Sequence, residues 1–194
     1  MSRLLGQPVH RCYVYPDFDA ALARFAAAGI GPFYVLREAG GMSIYRGEDH
    51  AMSITVAFVY TGAELIEIIT PNGHDQISTY GEFIRRHPDG GLHHMAYWSA
   101  DFDKTLADLR ARGHPFTVVQ DLKDPATGRS VEVYCEPDGI DDPVLFQLML
   151  PGVFDPWFDA MREAAATWDG SEPVRDAREL MLAAMSKANE AVAG

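Results

Sequence analysis

The chain has 194 residues, 47% of them hydrophobic and 23% charged, a composition that builds a globular core and excludes a disordered chain. Its formal net charge of −12 repels phosphate backbones and argues against a nucleic-acid partner. The opening Met1-Ser-Arg-Leu-Leu-Gly6 lacks a long apolar run, no stretch approaches the roughly 20 apolar residues of a membrane helix, and Cys12 and Cys135 are too few for a disulfide framework, so a reduced, cytoplasmic protein with no membrane contact is expected.

Residues 9–15 alternate as a strand, with His10, Cys12 and Val14 on one face. Pro16 ends it. Asp17 or Asp19 then caps a helix over 20–28, which Gly29 closes. Gly31-Pro32-Phe33 turns the chain into a second strand, 34–38, and Gly40-Gly41 reads as a turn. Segments 42–45, 52–59 and 64–70 are strand material, with Thr61-Gly62 as a hairpin turn. A polar connector over 71–89 carries a short helix over 77–86. The same order then returns: strand 94–99, Asp101 or Asp103 as cap, helix 104–112, Gly113, and strands 116–120, 130–136 and 144–150. Both halves read β-α-β-β-β.

Beyond Pro151 the pattern changes. Phe154, Trp157, Phe158, Met161, Ala165 and Trp168 recur at helical spacing, as do Val174, Ala177, Met181, Ala184, Met185, Ala188 and Val192. So large an apolar face must pack on the outside of a sheet or on a second subunit, which makes a homodimer the expectation. The organisation predicted is one domain over 1–151, with modules at about 8–71 and 91–151, and a helical extension over 152–194.

The two halves repeat residue by residue. His10 and His94, Asp17 and Asp101, and Gly29 and Gly113 each lie 84 positions apart, and Glu67 and Gln147 stand 80 apart, each four residues before a proline. Leu65, Glu67 and Ile69 share a strand face, and so do Leu145, Gln147 and Met149. A carboxylate between two aliphatic side chains is costly to bury unless it is paired or binds a metal. His93 and His94 point to opposite faces, and the repeat pairs His94 with His10. One strand histidine alone is most simply a hydrogen-bonded core residue. Four such groups in matching register point instead to one metal ion held by His10, Glu67, His94 and Gln147. The aspartates are accounted for by capping.

The paired modules, the His-x6-Asp-x-Asp openings, Gly91-Leu-His-His-Met-Ala96 and Glu67-Ile-Ile-Thr-Pro71 resemble the vicinal oxygen chelate superfamily. Gly29-Ile-Gly-Pro-Phe33 and Gly91-Leu-His-His94 are most similar to its glyoxalase-like and methylmalonyl-CoA epimerase-like branch. The resemblance spans about 8–151. It implies an α+β fold in which two tandem βαβββ modules form a half-barrel around one divalent ion (Zn, Ni, Co, Mn or Fe), with the four residues above as ligands. Relatives usually hold Glu where this chain has Gln147, so the usual pair of proton-carrying carboxylates is broken. The activity implied is that of a metal-dependent lyase or isomerase, stabilising an enediolate or enolate formed by proton transfer beside a carbonyl. Glu67 is the base first chosen, with Tyr13, Glu38, Tyr45, His74, His93 and Tyr134 as helpers. Tyr45, Trp98 and Tyr134 are expected to touch the substrate, with Phe33 and Phe58 in the pocket wall. The partner expected is a small carbonyl compound, aromatic or an acyl-thioester. The alternatives are a resistance-type small-molecule binding protein and an Fe(II) ring-cleaving dioxygenase. Whether one chain supplies all four ligands, or two chains share them, is open at this stage.

Overall fold

The computed structural model describes residues 2–184. After a short helix α1 (Ser2–Leu5), module one consists of β1 (His10–Val14), α2 (Phe18–Ala27), β2 (Phe33–Tyr45), β3 (Glu48–Thr61) and β4 (Glu64–Pro71). Helix α3 (Thr79–Arg86) connects it to β5 (Gly91–Trp98), α4 (Phe102–Ala111), β6 (Phe116–Lys123), β7 (Ser130–Pro137) and β8 (Leu145–Met149). The fold is α+β, with the β-α-β-β-β order made twice. Of the paired aspartates it is the first that caps each helix: the Asp17 carboxylate accepts from the Ala20 N–H at 3.0 Å and Asp101 from the Lys104 N–H at 2.9 Å. Asp19 instead pairs with Arg37.

The strands are ordered β3-β4-β1-β5-β8-β7-β6-β2, and β2 also pairs with β3, so the module strands close into a ring. The closure is incomplete. Only Ser43–Tyr45 of β2 pair with β6, at Gln120–Leu122. The half-barrel implied by the resemblance is thus drawn together at one end and open beside it.

Alternation along each strand divides the apolar residues between an inner and an outer layer. On β4, Leu65 and Ile69 face the barrel interior, whereas Ile66 and Ile68 face outward beneath Phe18, Ala21 and Leu22 of α2. On β8, Leu145 and Met149 face in, and Phe146 and Leu148 face out beneath α4 with Leu109. Each fully buried aliphatic side chain contributes about 1.5–3 kcal/mol. One slip of register would exchange the layers, so the pairing is strongly specified.

Two sequence expectations are corrected. Gly40-Gly41 is no turn: β2 runs through it, with a register shift between Leu36 and Ala39 and positive φ at Glu38 (58°) and Gly40 (140°). A Cβ on Gly40 would run into the Met52 carbonyl oxygen, so glycine here lets two strands pass closely. The turn lies further on, at Arg46 and Gly47, both at positive φ as a two-residue hairpin demands (48° and 90°). The second correction is in the extension. Helix α5 (Asp155–Ala166) forms as expected, but Val174 belongs to a short strand, β9 (Val174–Asp176), paired in parallel with Phe33–Val35 of β2. Helical backbone resumes only at 178–184. Pro173 explains the break: it cannot donate within a helix, and its carbonyl accepts from the Phe33 N–H at 2.7 Å. Met185, Ala188 and Val192 lie outside the described residues. The apolar face of α5 packs on the inner rather than the outer side of the sheet. Trp157, Phe158 and Met161 are buried in the inner cluster of their own chain.

Candidate metal centre and cavity

The four predicted ligands stand on four adjacent strands, β4-β1-β5-β8. Parallel pairing sets Cys12 opposite Glu67, antiparallel pairing sets Cys12 opposite His94 and His10 opposite Ala96, and parallel pairing sets Ala96 opposite Gln147. Register therefore brings all four side chains of this chain to the seam between the modules.

His10 Nε2, His94 Nε2 and Glu67 Oε2 form a nearly equilateral triangle: 3.4 Å between the imidazole nitrogens and 3.3 Å from each to the carboxylate. Ligands bound at about 2.0–2.1 Å to one tetrahedral ion have separations of this size. All three groups are buried. Burial works against ionising Glu67, but the His10 and His94 imidazoles, by charge and hydrogen bond, hold its carboxyl below the usual range. Burial pushes His94 down, with Glu67 opposing.

Further contacts fix the donors. His94 Nδ1 lies 2.9 Å from His93 Nδ1. With the proton on His94 Nδ1, donated to His93, the Nε2 lone pair is left facing Glu67 and His10. Gln147 Nε2 donates to the Tyr134 hydroxyl at 2.8 Å and to Glu132, and Tyr134 in turn meets Tyr80 at 2.6 Å. The amide orientation follows, and Gln147 Oε1 is left buried with no partner among the described residues. An orphaned buried acceptor beside two imidazoles and a carboxylate is a donor set that fits a divalent ion. Cys12, His93 and His94 form a second group of donor atoms. Burial, and then the charge of Glu67, push the Cys12 thiol up, so it stays protonated. None of Cys12, His93 and His94 lines the cavity, whereas His10, Glu67 and Gln147 do.

That cavity has a volume of about 750 Å³. Its wall is mainly apolar, including Leu36, Met52, Ile54, Phe58, Met149 and Trp157. Of the predicted contacts, Tyr134 and Phe58 line it. Tyr45 does not; its hydroxyl is bound to Glu82 and its ring lies under Arg46. Trp98 does not either, and packs against Phe158 with ring centroids 6.2 Å apart. Phe33 is in the outer layer beneath α2. Tyr13 borders that outer layer too, Glu38 is exposed at the bulge, and exposed His74 lies near the Pro16 carbonyl.

Sequence reasoning missed Glu132. It lines the cavity beside Gln147, and burial, followed by the charge of Glu67, pushes its carboxyl up to about 8. The signal was present: Glu132 and Tyr134 alternate on one face of β7, opposite Met149 and Gln147.

A family model described as the Glyoxalase/Bleomycin resistance protein/Dioxygenase superfamily matches residues 9–133. Among solved structures, a Streptomyces coelicolor methylmalonyl-CoA epimerase variant in complex with 2-nitronate-propionyl-CoA is 21% identical, with a TM-score of 0.50, and the match covers 77% of this chain and 96% of that one. Methylmalonyl-CoA epimerase from Mycobacterium tuberculosis is 17% identical, with a TM-score of 0.50, over 77% and 90% of the two chains. At these identities the likeness bears on the fold alone. A comparison with curated protein sequences finds no match.

Proposed function

The chain belongs to the glyoxalase/bleomycin resistance protein/dioxygenase superfamily, and on that premise we propose that it is a divalent-metal-dependent lyase or isomerase that moves a proton beside a carbonyl group. The observation that carries this reading is the triangle of His10, Glu67 and His94, 3.3–3.4 Å on each side, of which His10 and Glu67 line an apolar cavity. His10, Glu67, His94 and the free Oε1 of Gln147 would hold the ion. A divalent ion there supplies positive charge that stabilises an enolate or enediolate oxygen. With one carboxylate and three neutral donors, the site keeps net positive charge.

The remaining roles fall to the chain itself. Gln147 cannot carry a proton, so a second carboxyl must. Glu132 hydrogen-bonds Gln147 and lines the same cavity as Glu67; these two are the acid–base pair of this reading. Tyr134 orients Gln147 and borders the substrate. The apolar wall keeps water from the reacting carbon.

Metal content tests the reading, on protein purified without chelator or a nickel column. About one divalent ion per chain is expected by the coordination argument, lost in His10→Ala and in His94→Ala. Glu67→Gln and Glu132→Gln should each abolish turnover of α-hydroxycarbonyl or acyl-thioester substrates, with Glu132→Gln keeping its ion. Activity retained in either removes that residue as a proton carrier. If no divalent ion binds, the large cavity favours a resistance-type binding protein of the same fold.

A further inference from the structure

The C-terminal extension reaches the candidate site. Phe154, Trp157 and Phe158 of α5 and its lead-in, with Met181 of the later helical run, line the cavity opposite the strands. The aromatic wall is continuous with the metal-binding end: His10 lies 6.3 Å from the Phe58 ring and 6.0 Å from the Phe158 ring, and Phe58 lies 4.9 Å from Trp157. A carbonyl held near His10 therefore has its substituent against three aromatic rings.

The remaining charged groups on the cavity are Asp49, Asp121, Lys123 and Asp124. Lys123 is answered by Asp121 at 4.0 Å, and among the described residues no arginine lines the space. Phosphate recognition calls for arginine or lysine forks or helix N-termini. An acidic rim on a chain of net charge −12 opposes a phosphate-bearing tail. The volume of about 750 Å³ is enough for a drug-sized molecule held whole.

We propose that the extension is a specificity wall and that the substrate is a carbonyl compound with an apolar, ring-bearing body and no phosphate, enclosed entirely in this cavity. This rests on the metal-dependent reading for the end that holds the carbonyl; the wall stands on its own contacts. Of the two substrate classes tested above, it selects the small carbonyl compound over a coenzyme A thioester.

The test uses the full chain loaded with one equivalent of Zn, with phenylglyoxylate and methylmalonyl-CoA as probes in calorimetric titrations. Phenylglyoxylate should bind about tenfold or more tightly than methylmalonyl-CoA, and Phe154→Ala should weaken it about tenfold while leaving Zn affinity unchanged. Preferential binding of the thioester, or equal weakening of both probes by Phe154→Ala, overturns the proposal. The two readings fail separately. Zn binding without phenylglyoxylate binding sinks the wall and spares the metal site, and wall-dependent binding of phenylglyoxylate without Zn uptake does the reverse.

Discussion

The ligand atoms come from residues 10, 67, 94 and 147, and only strand pairing across β4-β1-β5-β8 gathers them. The unfolded chain scatters them, so an ion that binds the folded site adds its binding free energy to stability. At free ion about 100 times Kd the gain is about 2.7 kcal/mol. For a chain of 194 residues, each kcal/mol moves the midpoint by roughly 2–4 °C, so the melting temperature should rise by about 5–11 °C. The perturbation is His94→Ala, which removes one corner of the triangle and leaves Glu67 with His10 alone. Scanning calorimetry of the chelator-treated protein, with and without added Zn, reads the shift in each. The wild type should show it and the variant should lose nearly all of it. An equal shift in both would put the ion elsewhere and refute the reasoning. A wild type indifferent to Zn, Ni, Co, Mn and Fe(II) alike would remove the ion from the account.

Two further outcomes concern the frame that holds the site. Gly40→Ala places a methyl group against the Met52 carbonyl at positive φ, and should lower stability by more than about 1 kcal/mol in urea titrations; an unchanged midpoint would mean β2 bends without glycine. Asp101→Ala should cost about 1 kcal/mol and Asp103→Ala much less, because Asp101 alone accepts from the Lys104 N–H. Equal losses would contradict that assignment.

What the sequence carried legibly was what repeats and what alternates. The spacing of His10 and His94 located the seam, and the faces of β4 and β8 placed Glu67 and Gln147 inside, because a strand has a period of two and one layer is apolar. Other features depended on neighbours distant in sequence. Gly40-Gly41 looks locally like a turn, and only the close passage of β3 shows why the strand continues. Tyr45 sits on a plausible strand face, yet Glu82 and Arg46 hold it away from the cavity. The helical spacing of Val174 was overridden by the free edge of β2. Glu132 is legible by alternation with Tyr134 on β7, but the repeat does not flag it, because module one has no acid at the matching position.

The outer edge of β2 is divided among three fates. Phe33–Val35 are covered by β9, Ser43–Tyr45 by β6, and among the described residues the stretch 36–42 has no registered partner on that side. Leu36, Ala39, Gly40, Gly41 and Met42 of that stretch border the cavity mouth. Unpaired strand edges are the places where proteins add a strand from another molecule and begin to aggregate. Here the exposed stretch is bent by the shift at Leu36/Ala39 and by Glu38 and Gly40, so it offers no straight ladder to a second chain. The same irregularity that leaves a gap for a small molecule thus denies it to a neighbouring strand. Straightening 38–41 would turn a doorway into a template for self-association.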